Sequence, residues 1–254
     1  MKLRLGQRDQ WTCTKDGCQE QKSIRKGTFL EGTKLNFRKI VFFIYWWSKE
    51  MASVKFCEDE LDINHNTRVE WCILMREVCT VNLMRNPLQI GGPGSAVEID
   101  ESLFSRRKNH VGRVLPQQWV FGGLCQETGE CFLVPVEDRS AQTLLPIIQQ
   151  HVRAGSTIIS DEWRAYRGIQ GLPEQYNQET VNHSLHFVNP QTGAHTQGIE
   201  GTWRLAKHRN KIQCGTNCNM LEPYLAEFMW RRKFAGHDLF QQILNHISMQ
   251  WPPQ

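Results

Sequence analysis

No run in the sequence approaches the roughly 18 uncharged apolar residues that a membrane span requires. The best candidate, IVFFIYWW from Ile40 to Trp47, is too short and reads as a buried helix. The opening residues, MKLRLGQRDQW, lack the apolar centre of a secretory signal. Internal repeats and low-complexity tracts are missing too, which excludes solenoids and arrays. An intracellular protein without a membrane partner is therefore expected. Its nine cysteines, an odd number, then read as free thiols or metal ligands rather than a disulfide scaffold.

Acidic residues are scarce at both ends. Residues 1–40 carry ten Lys/Arg against four Asp/Glu, and residues 204–254 carry seven against three. Between them the balance reverses to thirteen against nineteen. The net charge of +4 hides this division. Two basic ends around an acidic middle suit a protein that grips a polyanion and does metal chemistry between the grips. Ordinary surface charge is the competing reading.

What is present is the composition of a folded protein, 40% hydrophobic with nine Trp. The 254 residues suffice for one large or two modest domains. The clearest seam is NPLQIGGPGSA, Asn86 to Ala96, where two Pro and three Gly break any helix. The division expected is a basic leader over 1–33, a helical domain over 34–90 and an α/β domain over 91–254.

Before the seam, apolar spacing predicts helices over Leu35–Lys49, Ala52–Leu61 and Thr67–Met84. DINHN between the last two reads as a turn closed by a capping Asn. Helix, turn and helix after a basic leader is the pattern of a DNA-binding helix-turn-helix, with Arg68 among its expected DNA contacts. The alternative is a small helical bundle that only packs on its neighbour. After the seam, AVEIDESLF alternates like a half-buried strand. QQWVFGGLC, the turn QETG and ECFLVPV form an expected hairpin. AQTLLPIIQQHVRA is a helix with Pro146 near its first turn, and STIISD is an apolar strand ending in an acid. This strand-strand-strand-helix-strand order defines a ribonuclease-H-like α/β mixed sheet, with the first and fourth strands side by side.

Three acids then stand out. Asp100 lies within the first strand, on the same face as Glu98 and Ser102 and opposite to Glu101. Asp161 ends the fourth strand, so the two Asp side chains converge if those strands are neighbours. A carboxylate there is costly unless paired, and a hard divalent cation is the natural partner. The third acid is Glu200, alone in the basic segment HTQGIEGTWRLAKHRNK. Lys207 lies about two turns on, and Arg204 is the i+4 neighbour. These cations favour the ionised acid and attract phosphates.

VEIDES, FGG with SAQTLLPII, ISDEWRAY and VNHSLHFVNPQTGAHTQGIEGTWRLAK resemble the catalytic domain of Merlin-type DNA transposases and their bacterial insertion-sequence relatives. WTCTKDGCQEQKSIRKGTFLEGTKL resembles that group's N-terminal module, so the likeness covers nearly the whole chain. The resemblance implies a DDE transposase. Asp100, Asp161 and Glu200 become the catalytic acids and the ligands of two Mg²⁺ or Mn²⁺ ions. Lys207 becomes a phosphate contact, with Gln197 and His195 as neighbours of the site. The implied chemistry is cleavage at the terminal inverted repeats of a transposon, then attack of the freed 3′-OH on target DNA, by a homodimer on double-stranded DNA. A nuclear location follows for a eukaryotic host and cytoplasm or nucleoid otherwise. A domesticated remnant that binds DNA without cutting is the competing function.

Members of that group usually begin with two Cys pairs that hold zinc. Here Cys13 and Cys18 form one pair, while a closed zinc site needs four ligands. Cys214 and Cys218 are a distant second pair. The loop SRRKNHVGR supplies Arg106, Arg107 and Lys108 as candidate DNA contacts, or else a solvated loop. Trp163 and Tyr166 in DEWRAY either stack on an unpaired base or pack beneath a short helix.

Overall fold

The structure, a computed structural model, describes residues 1–4, 10–104, 118–181, 188, 193–212 and 220–252. The chain divides into two compact units, one of Met1–Val78 with Gly236–Gln254 and one of Cys79–Ala235.

In the first unit, β1 (Lys2–Arg4), β2 (Gln10–Thr12) and β3 (Gln21–Ser23) form a small antiparallel sheet. From its sequence this stretch reads as a basic leader. Three-residue strands that are largely exposed carry no alternation to detect. The three helices expected next are all present. Helix α1 (Phe37–Ser48) starts where the Asn36 side chain accepts from Lys39 N, and it buries Ile40, Phe43, Ile44 and Trp47 at helical spacing. Helix α2 (Val54–Leu61) is capped by Ser53 and ends at Asp62 in the left-handed region (φ 49°). Helix α3 (His65–Arg85) begins two residues earlier than its apolar periodicity suggests. Its cap is Asn64, whose Oδ1 accepts from Thr67 N at 2.9 Å, rather than Asn66 at the end of the turn. Trp71 meets Phe29 and Phe43 edge-on, and Trp251 meets Phe29. Tyr45 contacts Phe240 in the same way. The last helix, Leu239–Gln250, thus packs within this unit, although its sequence position grouped it with residues 91–254.

The second unit holds β4 (Ala96–Leu103), β5 (Trp119–Cys125), β6 (Cys131–Val136), α4 (Ala141–His151), β7 (Thr157–Ser160), a 3-10 helix (Arg164–Gly171), β8 (Asn177–Thr180), α5 (Gln197–Ile212) and α6 (Leu221–Lys233). The sheet order is β6-β5-β4-β7-β8. The β4–β5 and β5–β6 pairs are antiparallel, while β4–β7 and β7–β8 are parallel. This is the expected α/β mixed sheet, with the first and fourth strands adjacent. The strand β8 adds an edge that the polar segment NQET does not announce. Pro146 falls at the sixth residue of α4, deeper than expected. The carbonyl that loses its amide partner there belongs to exposed Gln142, where water can replace it.

Strand β4 has two different faces. Val97 and Ile99 join Phe121, Leu144, Ile148, Ile158 and Tyr166 in one core beneath α4. On the other face α5 and α6 close a second core of Val120, Leu124, Leu133, Ile199, Trp203 and Leu225. The FGG of β5 fits this sandwich. A side chain at Gly122 would strike the Trp203 ring, and one at Gly123 would strike Phe132.

Candidate catalytic site

Helix α5 is fastened to the second face of β4 by three polar contacts in step. Ile199 N donates to Glu98 Oε2 at 2.7 Å, Trp203 Nε1 donates to Asp100 Oδ2 at 3.0 Å, and Lys207 Nζ donates to Ser102 Oγ at 2.7 Å. Four helical residues rise about 6 Å and two strand residues span about 6.6 Å, so a helix laid along a strand repeats its contacts at these intervals. Glu98 is 1% exposed and also accepts from Gln126 Nε2 at 2.7 Å. His195 Nδ1 lies 3.5 Å from Glu98 Oε1. Gly198 is required beside it, because a Cβ would sit 2.8 Å from Glu98 Oε1.

The neighbouring strand leads to the second Asp. Across the parallel pair, Glu98 stands opposite Ile159. Asp161 follows directly on the last residue of β7, and its charge reaches Asp100. Ile159 packs there against Ala194, in the segment that leads into α5. The Asp161 carboxylate accepts from Trp163 N at 2.9 Å. Burial pushes the Asp100 carboxyl up to about 7, the Glu101 and Asp161 charges add to the rise, and the Trp203 indole opposes it. Tyr166, nearly fully buried, is pushed well above its ordinary range by burial and then by the charges of Glu101, Asp100 and Asp161.

Glu200 is exposed in the first turn of α5. It lies roughly 200° around the helix from Gly198, which faces Leu124 of β5, so it sits on the flank turned away from that strand. Among the described residues no group of three or more His, Cys, Asp or Glu is gathered to hold a metal. The Asp161 charge thus acts on Asp100, but Glu200 is not brought into a ready three-ligand cluster with them. Two carboxylates still suit a hard cation, since Mg²⁺ takes one or two protein carboxylates and completes its shell with water and substrate phosphate.

The other expected residues divide. Lys207 is bonded to Ser102 and lies 5.5 Å from the Phe104 ring centre, while Arg204 is exposed. Arg68 spends Nε and one Nη on the Ala52 carbonyl, at 3.0 and 2.8 Å, so it fixes the start of α3 to the segment before α2. Arg106, Arg107 and Lys108, like Cys214 and Cys218, lie outside the described residues. Cys13 and Cys18 face each other. A backbone hydrogen bond at Lys15 and the Cys18 thiol lower Cys13, whereas Cys18 is raised by Cys13 despite a backbone hydrogen bond at Glu20. Two thiols with no third ligand among the described residues do not make a closed zinc site. Neither Trp203 as the donor to Asp100 nor Glu98 as the tether of α5 shows in the sequence alone. Their signal is the match between a four-residue helical and a two-residue strand interval, which becomes visible once the two elements are known to pack.

The model of the ISXO2-like transposase domain family matches residues 92–233, more than half of the chain and the whole of this site. The chain belongs to that family. An uncharacterized transposase-like protein of Haemophilus influenzae is 30% identical over 112 residues, covering 44% of this chain and 86% of that protein. These matches support the insertion-sequence side of the resemblance, and membership implies DNA as the substrate. Among solved structures, the chain is similar to the HTLV-2 integrase catalytic core domain in complex with magnesium (12% identity, 55% of this chain and 86% of that one, TM-score 0.36). It is also similar to the catalytic core domain of BIV integrase (14%, 61% and 97%, TM-score 0.37).

Proposed function

We propose that the chain is a DDE transposase that cuts DNA at transposon terminal inverted repeats and joins the freed 3′-OH to target DNA. Asp100 and Asp161 would hold divalent Mg²⁺ or Mn²⁺, two ions per site, with Glu200 as the third acid. Held there, such ions would supply an activated oxygen nucleophile and stabilise the leaving oxygen. Lys207 and Arg204 on α5 take phosphates beside the acids, and Trp203 fixes one oxygen of Asp100. Arg106, Arg107 and Lys108 extend the basic surface, and the helical region over 34–90 serves as a helix-turn-helix on the terminal repeats. Synapsis of two ends calls for a homodimer on double-stranded DNA. The protein works wherever its host keeps DNA, the nucleus in a eukaryote of the Merlin kind and the nucleoid otherwise.

What supports this most is that Asp161 directly follows the strand parallel to β4 and its charge acts on Asp100, which is raised to about 7 and lacks a cationic partner among the described residues. The outlying Glu200 favours the second reading, a remnant that binds without cutting. Cleavage of DNA carrying the cognate terminal repeat, with Mg²⁺ or Mn²⁺, separates them. Wild type nicks the repeat end, while Asp161→Asn binds it and leaves it whole. If both bind and neither cuts, the chain is the remnant.

A further inference from the structure

We propose that Trp163, Arg164 and Arg167 form a cleft for an unpaired DNA strand as it leaves the Asp100–Asp161 pair. The inference rests on the reading of the chain as a DNA-cutting transposase and names a surface of that site. A cavity of about 610 Å³ opens beside the site, lined by Arg139, Ser140, Ala141, Trp163, Arg164 and Arg167 among others. Its first wall begins two residues after Asp161, whose carboxylate already holds the Trp163 backbone.

The 3-10 helix explains the row of cations. Side chains three apart eclipse in such a helix, with a rise of about 6 Å between them. Ala165, Tyr166 and Ile169 take the buried side, so Arg164 and Arg167 project together on the exposed side. Among the described residues neither guanidinium has a carboxylate partner. Their neighbours are already engaged. Glu101 pairs with Arg139 at 3.2 Å, and Asp138 Oδ1 accepts from Ser140 N and the Thr143 hydroxyl, both at 2.8 Å.

Trp163 is 38% exposed, and it is held in place. Its Nε1 donates to the Arg139 carbonyl at 3.2 Å, and the Arg139 guanidinium lies 4.5 Å from its ring centre and 4.7 Å from that of Trp119. A fixed indole beside two uncompensated guanidinium groups has the make-up of a single-strand site, in which an aromatic stacks a base and cations take the backbone. A duplex offers only its phosphates to such a wall, because its bases already stack on one another. The partner that fits is a strand whose bases are open.

The test uses the full chain in EDTA, where no cutting occurs, with a labelled blunt duplex and the same duplex bearing a short single-stranded extension. Wild type should bind the extended probe more tightly than the blunt one. Arg164→Ala with Arg167→Ala, both on exposed residues, should weaken the extended probe about tenfold and flatten the plot of log affinity against log salt by about 1.4, roughly 0.7 for each lost phosphate contact. Trp163→Ala should weaken the same probe about tenfold without changing that slope. Binding of the blunt duplex should stay near wild type. Equal losses on both probes, no loss on either, or a wild type that binds neither probe overturns the cleft. Preference for the extended probe together with a terminal repeat that wild type never cuts would instead leave the cleft standing and overturn the catalytic reading.

Discussion

Asp100 and Glu101 are consecutive acids of one strand, and they are held by opposite means. The Glu101 side chain is 0% exposed and meets the Arg139 guanidinium at 3.2 Å. It lies on the face shared with Tyr166 and the first core. Asp100 points the other way, toward α5, where its partner is the neutral Trp203 indole and its neighbour is a second carboxylate. Burial raises both acids, and at Glu101 the Arg139 charge opposes the rise. A carboxylate matched to a resident cation belongs to the scaffold. One held by a dipole next to another acid is the one that the proposed metal chemistry would use.

Exchanging the charge at each position should sharpen this contrast most. Asp100→Asn should lower cleavage of the terminal repeat at least about a thousandfold, the scale of losing a preorganised electrostatic group. The same change should not weaken the fold. The Asp100 carboxyl lies above its ordinary 3.8, at about 7. The stability tied to its protonated form is therefore fully present below about 3.8 and is lost as pH climbs through about 7. At about 1.4 kcal/mol per unit, the wild type without metal should lose up to about 4 kcal/mol from this group. Urea unfolding at several pH values reads that loss, Asp100→Asn should flatten it, and added Mn²⁺ should restore stability at high pH. A wild-type curve indifferent to Mn²⁺ would remove the metal from the account.

Next in size is Arg139→Met. It leaves Glu101 buried without its cation, which costs about 3 kcal/mol of stability. Adding Glu101→Gln should recover a good part of that, because a neutral amide is cheaper to bury than a lone charge. If Arg139→Met unfolds no more easily than wild type, Glu101 is not the scaffold acid the contrast makes it.

Much of this contrast was readable in advance. Alternation in VEIDES puts Asp100 and Glu101 on opposite faces, and the apolar run TIIS places Asp161 at a strand end. The pairing of first and fourth strands follows from the order of elements. Short polar strands escaped, because Lys2–Arg4, Gln10–Thr12, Gln21–Ser23 and Asn177–Thr180 are strands by virtue of their neighbours and not of their own pattern. The partners of the acids escaped for a related reason. Trp203 lies 103 positions from Asp100 and Arg139 lies 38 from Glu101, and no local periodicity links residues so far apart. Arg68 reads as a DNA contact from charge alone, and its bond to Ala52 needed the turn geometry. Glu200 was legible as the lone acid on a basic helix, but helix rotation decides what it reaches.

Trp203→Phe keeps an aromatic ring in the second core, withdraws the distal indole atoms that lie over Gly122, and removes the donor to Asp100. A hydrogen bond to a charged group contributes about 1.5 to 3 kcal/mol, so the Mn²⁺ concentration for half-maximal cleavage should rise about tenfold or more. Direct Mn²⁺ binding, read by electron paramagnetic resonance, should weaken in parallel, while the pH dependence of stability should steepen. Unchanged Mn²⁺ affinity would show that the indole merely fills space on the second face.

The smallest effect belongs to the outermost contact of α5. Lys207→Met loses the bond to Ser102, whose ammonium donor is partly exposed and screened by solvent, so its net contribution is about 1 kcal/mol. The thermal midpoint should therefore move little. If Lys207 also takes a DNA phosphate, the slope of log affinity against log salt on duplex DNA should fall by about 1, with a uniform weakening across sequences. Stability lost with no change in that slope would make Lys207 a fastener of α5 like Glu98. A slope lost with little change in stability would make the second face of β4 the face on which the chain meets its substrate.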